Sequence, residues 1–94
     1  MQRHAPLKPL WICTACAHPW PCGPARLELA AQYAGESQYL ALDMAGLMNE
    51  AAEDLTRLYP NPPDLLALYG RFLGWVRHCT VHRSQIRHLG HIEP

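Results

Sequence analysis

Pro24-Ala25-Arg26-Leu27-Glu28-Leu29-Ala30-Ala31-Gln32-Tyr33-Ala34 is the stretch where the chain changes character. Ahead of it, Pro6, Pro9, Pro19, Pro21 and Pro24 crowd the first 24 residues, a density of proline that excludes a long helix. From Ala25 onward the residues are Ala, Leu, Glu, Gln and Met, all good helix formers. Pro24 suits the first helical turn, where its missing N–H has no intrahelical partner to lose.

Working outward, Gly35 interrupts the run and Ser37 is placed to cap a restart, which predicts two helices between about Ala25 and Leu58. In the second of these, Tyr39-Leu40, Leu42, Ala45, Met48, Ala52, Leu55 and Leu58-Tyr59 recur at three- and four-residue steps that line one helix face. Gly46 inside it costs about 1 kcal/mol relative to Ala, which suggests a close helix contact there. Pro60-Asn61-Pro62-Pro63 stops the chain, and Asn61 is placed to cap a third helix. That helix carries Leu65, Leu68-Tyr69, Phe72-Leu73, Trp75-Val76 and Cys79 in a stripe, with Arg71 and Arg77 outside it, and runs to about Ile86. No segment alternates long enough to read as a strand. The expectation is an all-α fold, a bundle of three to four helices with an irregular Pro-rich N-terminal zinc knuckle. It forms one domain over 1–94, with a metal-knuckle head at 1–24, a helical body at 25–89 and a tail at 90–94.

Composition supports a folded chain. Apolar residues make up 49% and charged ones 17% of the 94 residues, against a usual charged share of about 25%, so disorder averaged over the sequence is disfavoured. No apolar run approaches the roughly 20 residues of a membrane helix, and no signal-peptide core follows Met1. The chain reads as soluble and cytoplasmic.

Cys13-Thr14-Ala15-Cys16 is a C-x2-C pair, and Cys22 follows inside a head with few other ways to order itself. A tight turn lets two such thiolates reach one zinc ion at about 2.3 Å, and a third returns from the next loop. Cys13, Cys16 and Cys22 are therefore assigned to a structural Zn2+ site. His82 is taken as the fourth ligand, with Cys79, His78 and His18 as alternatives. Cys79 and His82 are three apart on a helix and His78 and His82 four apart, so either pair faces one way, and a ligand there would tie the head to the body. Two other readings compete: a redox dithiol, which would expect a βαβ context that is missing, and Cys79 as a core thiol. A structural disulfide fits poorly without a secretion signal. Trp20, beside Cys22, is expected to cover the site or dock the head on the helices.

Charge is uneven. Seven acids and one base fall between Leu27 and Leu66, whereas Arg71, Arg77, Arg83 and Arg87 and four histidines follow with no acid before Glu93. Such a basic end suits phosphates, making Arg71, Arg77, Arg83 and Arg87 candidates for nucleic-acid contact. It equally suits a helix C-terminus paired with acids of the second helix. Glu50, Glu53 and Asp54 read as a solvated face, and no Gly-rich phosphate loop, G-x-S-x-G or H-E-x-x-H pattern points to an enzyme.

Trp11-x-Cys13-x-x-Cys16, Trp20-Pro21-Cys22, Pro24-Ala25-Arg26 and Arg71-Phe72-Leu73-Gly74-Trp75 together resemble a group of small actinobacterial proteins often labelled flavin reductases. The resemblance spans roughly Trp11 to Arg77 and implies a small helical protein with a metal knuckle, in which Cys13, Cys16 and Cys22 are the shared set. Nothing in the chain looks like the β-barrel and flavin-phosphate site that a flavin reductase requires. The leading expectation is a non-catalytic zinc-binding helical protein that engages a protein partner in an interaction or regulatory role. A nucleic-acid-binding accessory factor comes second, and a flavin- or thiol-dependent redox protein third. A body of this size is also expected to leave apolar helix surface for a second copy of the chain to cover.

Overall fold

The computed structural model describes residues 3–76. Its head opens with a hairpin in which β1 (Pro6–Leu7) runs antiparallel to β2 (Ile12–Cys13), Pro6 opposite Cys13 and Leu7 opposite Ile12. This two-stranded sheet corrects the all-α expectation. Strands of two residues are too short for alternation to register, and prolines that exclude helix say nothing about which segments pair. The connecting turn is closed by the Trp11 N–H, which donates to the Leu7 carbonyl at 2.7 Å. Trp11 sits at φ 59°, in the left-handed region that costs a residue with a Cβ about 1–2 kcal/mol. Its indole is fully buried, and that burial offsets the strain. The peptide bonds before Pro9 and Pro21 are cis.

The body consists of α1 (Gly23–Gln32), α2 (Ser37–Leu58) and the single-turn α3 (Leu65–Tyr69), which continues as a π-helical turn over Gly70–Gly74. Pro24 occupies the first turn of α1, and the chain breaks between α1 and α2 at Gly35, whose φ of 83° suits a residue without a Cβ. Ser37 does not act as a cap: it is already helical, and Glu36 holds the cap position without a side-chain bond. Asp64 rather than Asn61 caps α3, its carboxylate accepting from the Leu66 and Ala67 N–H groups at 3.0 and 3.4 Å. The reason is local: with Asn61 as the cap, Pro62 would be the first helical residue, and its place before Pro63 pushes it to extended backbone.

The third stripe divides within α3, before the helix widens. Leu68, Phe72, Trp75 and Val76 are buried, while Leu65 and Tyr69 are exposed. Phe72 and then Trp75 and Val76 follow Leu68 at steps of four and of three to four residues, so one buried line runs from α3 through the π turn. The expected continuation to Ile86, including Cys79, lies outside the described residues.

Leu40, Met44 and Ala51 form the buried face of α2 and join Leu68 and Phe72, together with Trp11 and Trp20 of the head, in one core. Tyr39 and Leu42 are 55% and 68% exposed. Gly46 also lies on an exposed part of α2, and a Cβ built there meets nothing within 4 Å. It makes no close contact, contrary to expectation. Gly46→Ala is therefore expected to raise stability by about 0.5–1 kcal/mol, read as a higher urea midpoint with an unchanged slope. A lower midpoint would contradict the open environment. No helix among the described residues is long and apolar enough to cross a membrane.

Candidate metal centre

The site is assembled by the turn that follows β2. The Ala17 N–H donates to the Cys13 carbonyl at 2.9 Å, and the Ala15 N–H donates to the Cys13 sulfur at 3.3 Å. Ala17 takes a φ of 63°, which turns the chain back after Cys16. The Cys13 N–H then donates to the His18 carbonyl at 2.7 Å, and Ile12 bridges Pro19, so the returning strand lies beside β2. Trp20 and Pro21 carry the chain to Cys22, which holds the N-cap position of α1.

The fourth donor arrives from the other side of the hairpin. Ahead of β1, the Ala5 carbonyl accepts from the Thr14 N–H at 2.8 Å, the Arg3 carbonyl from the Thr14 hydroxyl at 3.1 Å and the His4 carbonyl from the Trp20 indole N–H at 3.1 Å. Those bonds hold the His4 backbone, and its Nδ1 lies 3.2 Å from the Cys13 sulfur and 3.3 Å from the Cys22 sulfur. One donor atom from each of His4, Cys13, Cys16 and Cys22 lies within 4.8 Å of all the others. The three cysteines are free thiols. A zinc tetrahedron built from bonds of about 2.3 Å to sulfur and 2.0–2.1 Å to nitrogen has edges of roughly 3.5–3.8 Å. This His/Cys3 tetrad is positioned to bind a metal ion.

Among the described residues the fourth donor is His4. His18, one of the alternatives, is exposed, contributes only its backbone carbonyl to the knuckle and does not belong to the tetrad. His82, the first choice, and the alternatives Cys79 and His78 lie outside the described residues. Sequence reasoning overlooked His4 because it precedes Cys13 by nine residues, beyond the short spacings by which knuckles are recognised. Only the hairpin register brings it back. The available signal was a lone histidine ahead of Pro6 and Pro9, residues that favour a turn leading back to the cysteines.

Electrostatics differ among the thiols. Burial works to raise Cys13, but the backbone N–H groups of Cys16 and Ala15, with the Cys16 and Cys22 side chains, overcome it and bring the thiol down from 9.0 to about 6. Cys22 moves upward, first through burial and then because it donates toward Cys13 and Cys16 and faces the Cys13 charge. The first thiolate thus forms readily at Cys13, and a cation is what would allow all three to ionise together.

The head is locked to the body around this site. Trp11, Trp20 and Phe72 meet in a three-way aromatic cluster, with ring centroids 5.7–6.4 Å apart and tilted or edge-on planes. The Trp11 indole N–H donates to Asp54 at 2.8 Å, and Lys8 pairs with Glu50 at 3.0 Å. Asp54 thus serves as a hydrogen-bond acceptor for the head, correcting its reading as part of a solvated acidic face. Arg71, expected on a nucleic-acid surface, turns inward, its Nε donating to the Trp20 carbonyl at 2.8 Å and its Nη2 to the Trp11 carbonyl at 2.6 Å. Arg26 donates to the Pro21 and Arg71 carbonyls at 3.1 and 3.4 Å. Arg77, Arg83 and Arg87 lie outside the described residues. Trp20 is 4% exposed and docks the head on Phe72, as its sequence context suggested. No family model matches the chain, and no curated protein or solved structure matches it either.

Proposed function

We propose that the protein is a non-catalytic zinc module in which His4, Cys13, Cys16 and Cys22 hold a structural Zn2+ that ties the proline-rich head together for interaction with a protein partner. The observation that carries the zinc assignment is the convergence of three free thiols and one imidazole nitrogen within 4.8 Å. Soft thiolates with an imidazole in a four-donor set favour Zn2+ over hard cations. Four protein donors also close the coordination sphere, so no position is left for a catalytic water. Exposed Leu65, Leu66 and Tyr69 on α3 support the interaction role, since large apolar side chains grouped in water mark surfaces that partners cover. The nucleic-acid alternative has no support among the described residues once Arg71 is committed to backbone carbonyls.

The test is metal content and cobalt substitution on untagged protein. One zinc per chain is expected, replaceable by Co2+ with the absorption of a tetrahedral thiolate site. His4→Ala should weaken zinc binding by more than the roughly 10–100-fold typical of losing an outer hydrogen-bond partner, while His18→Ala leaves it unchanged. Metal-free protein that takes up no cobalt would refute the assignment, as would a His4→Ala variant with undiminished affinity.

A further inference from the structure

A second site opens where the head meets the corner between α2 and α3. Leu10, Ile12, Pro19, Leu55 and Pro63 wall a cavity of about 330 Å³, and Arg71 lines it. This is the lower end of the range of roughly 300–1,000 Å³ over which small-molecule sites occur. The walls are mainly apolar, so the guanidinium is the exception that needs explaining.

Arg71 carries five N–H donors, of which the Trp20 and Trp11 carbonyls take one each. Three of the five, both of those on Nη1 among them, have no protein acceptor among the described residues. No carboxylate pairs with Arg71 there either. Burial and then the neighbouring Arg26 charge both push its proton affinity down, so an anion placed beside it would be stabilised. A half-buried guanidinium held by two carbonyls, with donors to spare among the described residues and a place in the lining of an apolar cavity, suits the two parallel acceptors of a carboxylate.

We propose that this cavity binds a small monocarboxylate with an apolar body, the acid group on the Arg71 fork and the body against Leu10, Ile12 and Leu55. The site is separate from the metal tetrad and goes beyond the zinc reading. Apolar contact supplies attraction for any ligand of suitable size, whereas the fork selects an anion. A neutral amide of the same shape offers the guanidinium one uncharged carbonyl oxygen in place of two charged acceptors, and losing a charge-assisted pair of hydrogen bonds costs about tenfold or more in affinity.

The experiment titrates isotope-labelled, metal-loaded protein with phenylacetate and with phenylacetamide, which has the same shape without the charge. Saturable shifts of the Trp11 indole and of the Leu10 and Ile12 amides are expected with phenylacetate, with the amide at least about tenfold weaker. Asn61→Trp, in the exposed loop that lines the cavity, fills it from outside and should weaken phenylacetate at least about tenfold with zinc content unchanged. Arg71→Lys keeps the charge but not the fork and should also bind more weakly. Equal affinity for the acid and the amide would overturn the proposal. So would shifts that do not saturate, or binding indifferent to Asn61→Trp. Zinc is measured on the same samples: zinc-loaded protein that ignores phenylacetate sinks this inference alone, and zinc-free protein that binds it sinks only the metal reading.

Discussion

With the proposed zinc in the tetrad, its removal by excess chelator is expected to dissolve the head and lower the melting temperature by at least about 16 °C. The estimate follows from scale. A 94-residue chain at about 0.05–0.15 kcal/mol per residue has roughly 5–14 kcal/mol of net stability, while structural zinc in small finger peptides contributes on the order of 10–16 kcal/mol of apparent binding energy. Even a quarter of the lower zinc figure is about 2.5 kcal/mol, and loosening the packing of Trp11 and Trp20 in the core takes the total to about 4 kcal/mol or more. At about 4–8 °C per kcal/mol for a domain of this size, that is a shift of at least about 16 °C. Cys13 and Cys22 lie in the same buried cluster as Trp11 and Trp20, so the site cannot open without disturbing the aromatic core. The checks are calorimetry and near-ultraviolet circular dichroism, whose tryptophan bands should collapse on chelation and return with zinc. A melting temperature that moves by less than 2 °C would remove the metal's structural role.

The same linkage sets the pH dependence. Bound thiolates have folded-state proton affinities far below those of free cysteines, so the metal's contribution is present at neutral and higher pH and is lost as pH falls and protons displace the ion. In metal-free protein the two thiols pull in opposite directions. Cys13, at about 6 against 9.0, contributes stability above 9 that fades as pH falls through 6, and Cys22, shifted upward, contributes below 9 and fades above it.

Trp11→Ala is expected to cost about 3–5 kcal/mol in metal-loaded protein, the range for deleting a buried aromatic side chain. Trp11 is fully buried, meets both Trp20 and Phe72, and donates its indole N–H to Asp54 of α2. Truncation therefore opens a cavity at the junction of head and body and leaves the partly buried Asp54 carboxylate one donor short. Trp11→Phe should restore most of the packing and lose chiefly the hydrogen bond, at a cost of about 1–3 kcal/mol. Urea unfolding at saturating zinc separates the two variants. A Trp11→Ala cost below 1 kcal/mol would show that the head contributes little to the common core.

Much of this architecture could be read in advance, for physical reasons that differ by segment. The boundary between α1 and α2 at Gly35 and the start of α1 at Pro24 follow from backbone constraints that each residue carries with it. The shared use of Cys13 and Cys16 follows from the reach of a single turn. The cap of α3 was misplaced from Asp64 to Asn61 because two good capping residues lie three apart and the effect of Pro62-Pro63 decides between them. Arg71 and Asp54 looked like surface charges because nothing in their own helices says that the head's carbonyls and indole will be laid against them.

What the sequence by itself determined, then, is local: where helix is forbidden, where it begins and stops, and which cysteines lie within one turn of each other. Tertiary structure alone decided the hairpin register that brings His4 beside Cys13 and Cys22, the inward turn of Arg71, and the selection of Leu68 and Phe72 over Leu65 and Tyr69 for the core. The division has one cause. Backbone torsions and single-turn spacings act between near neighbours, whereas the donors of the tetrad and the faces of the core are chosen by contacts between segments far apart in the chain.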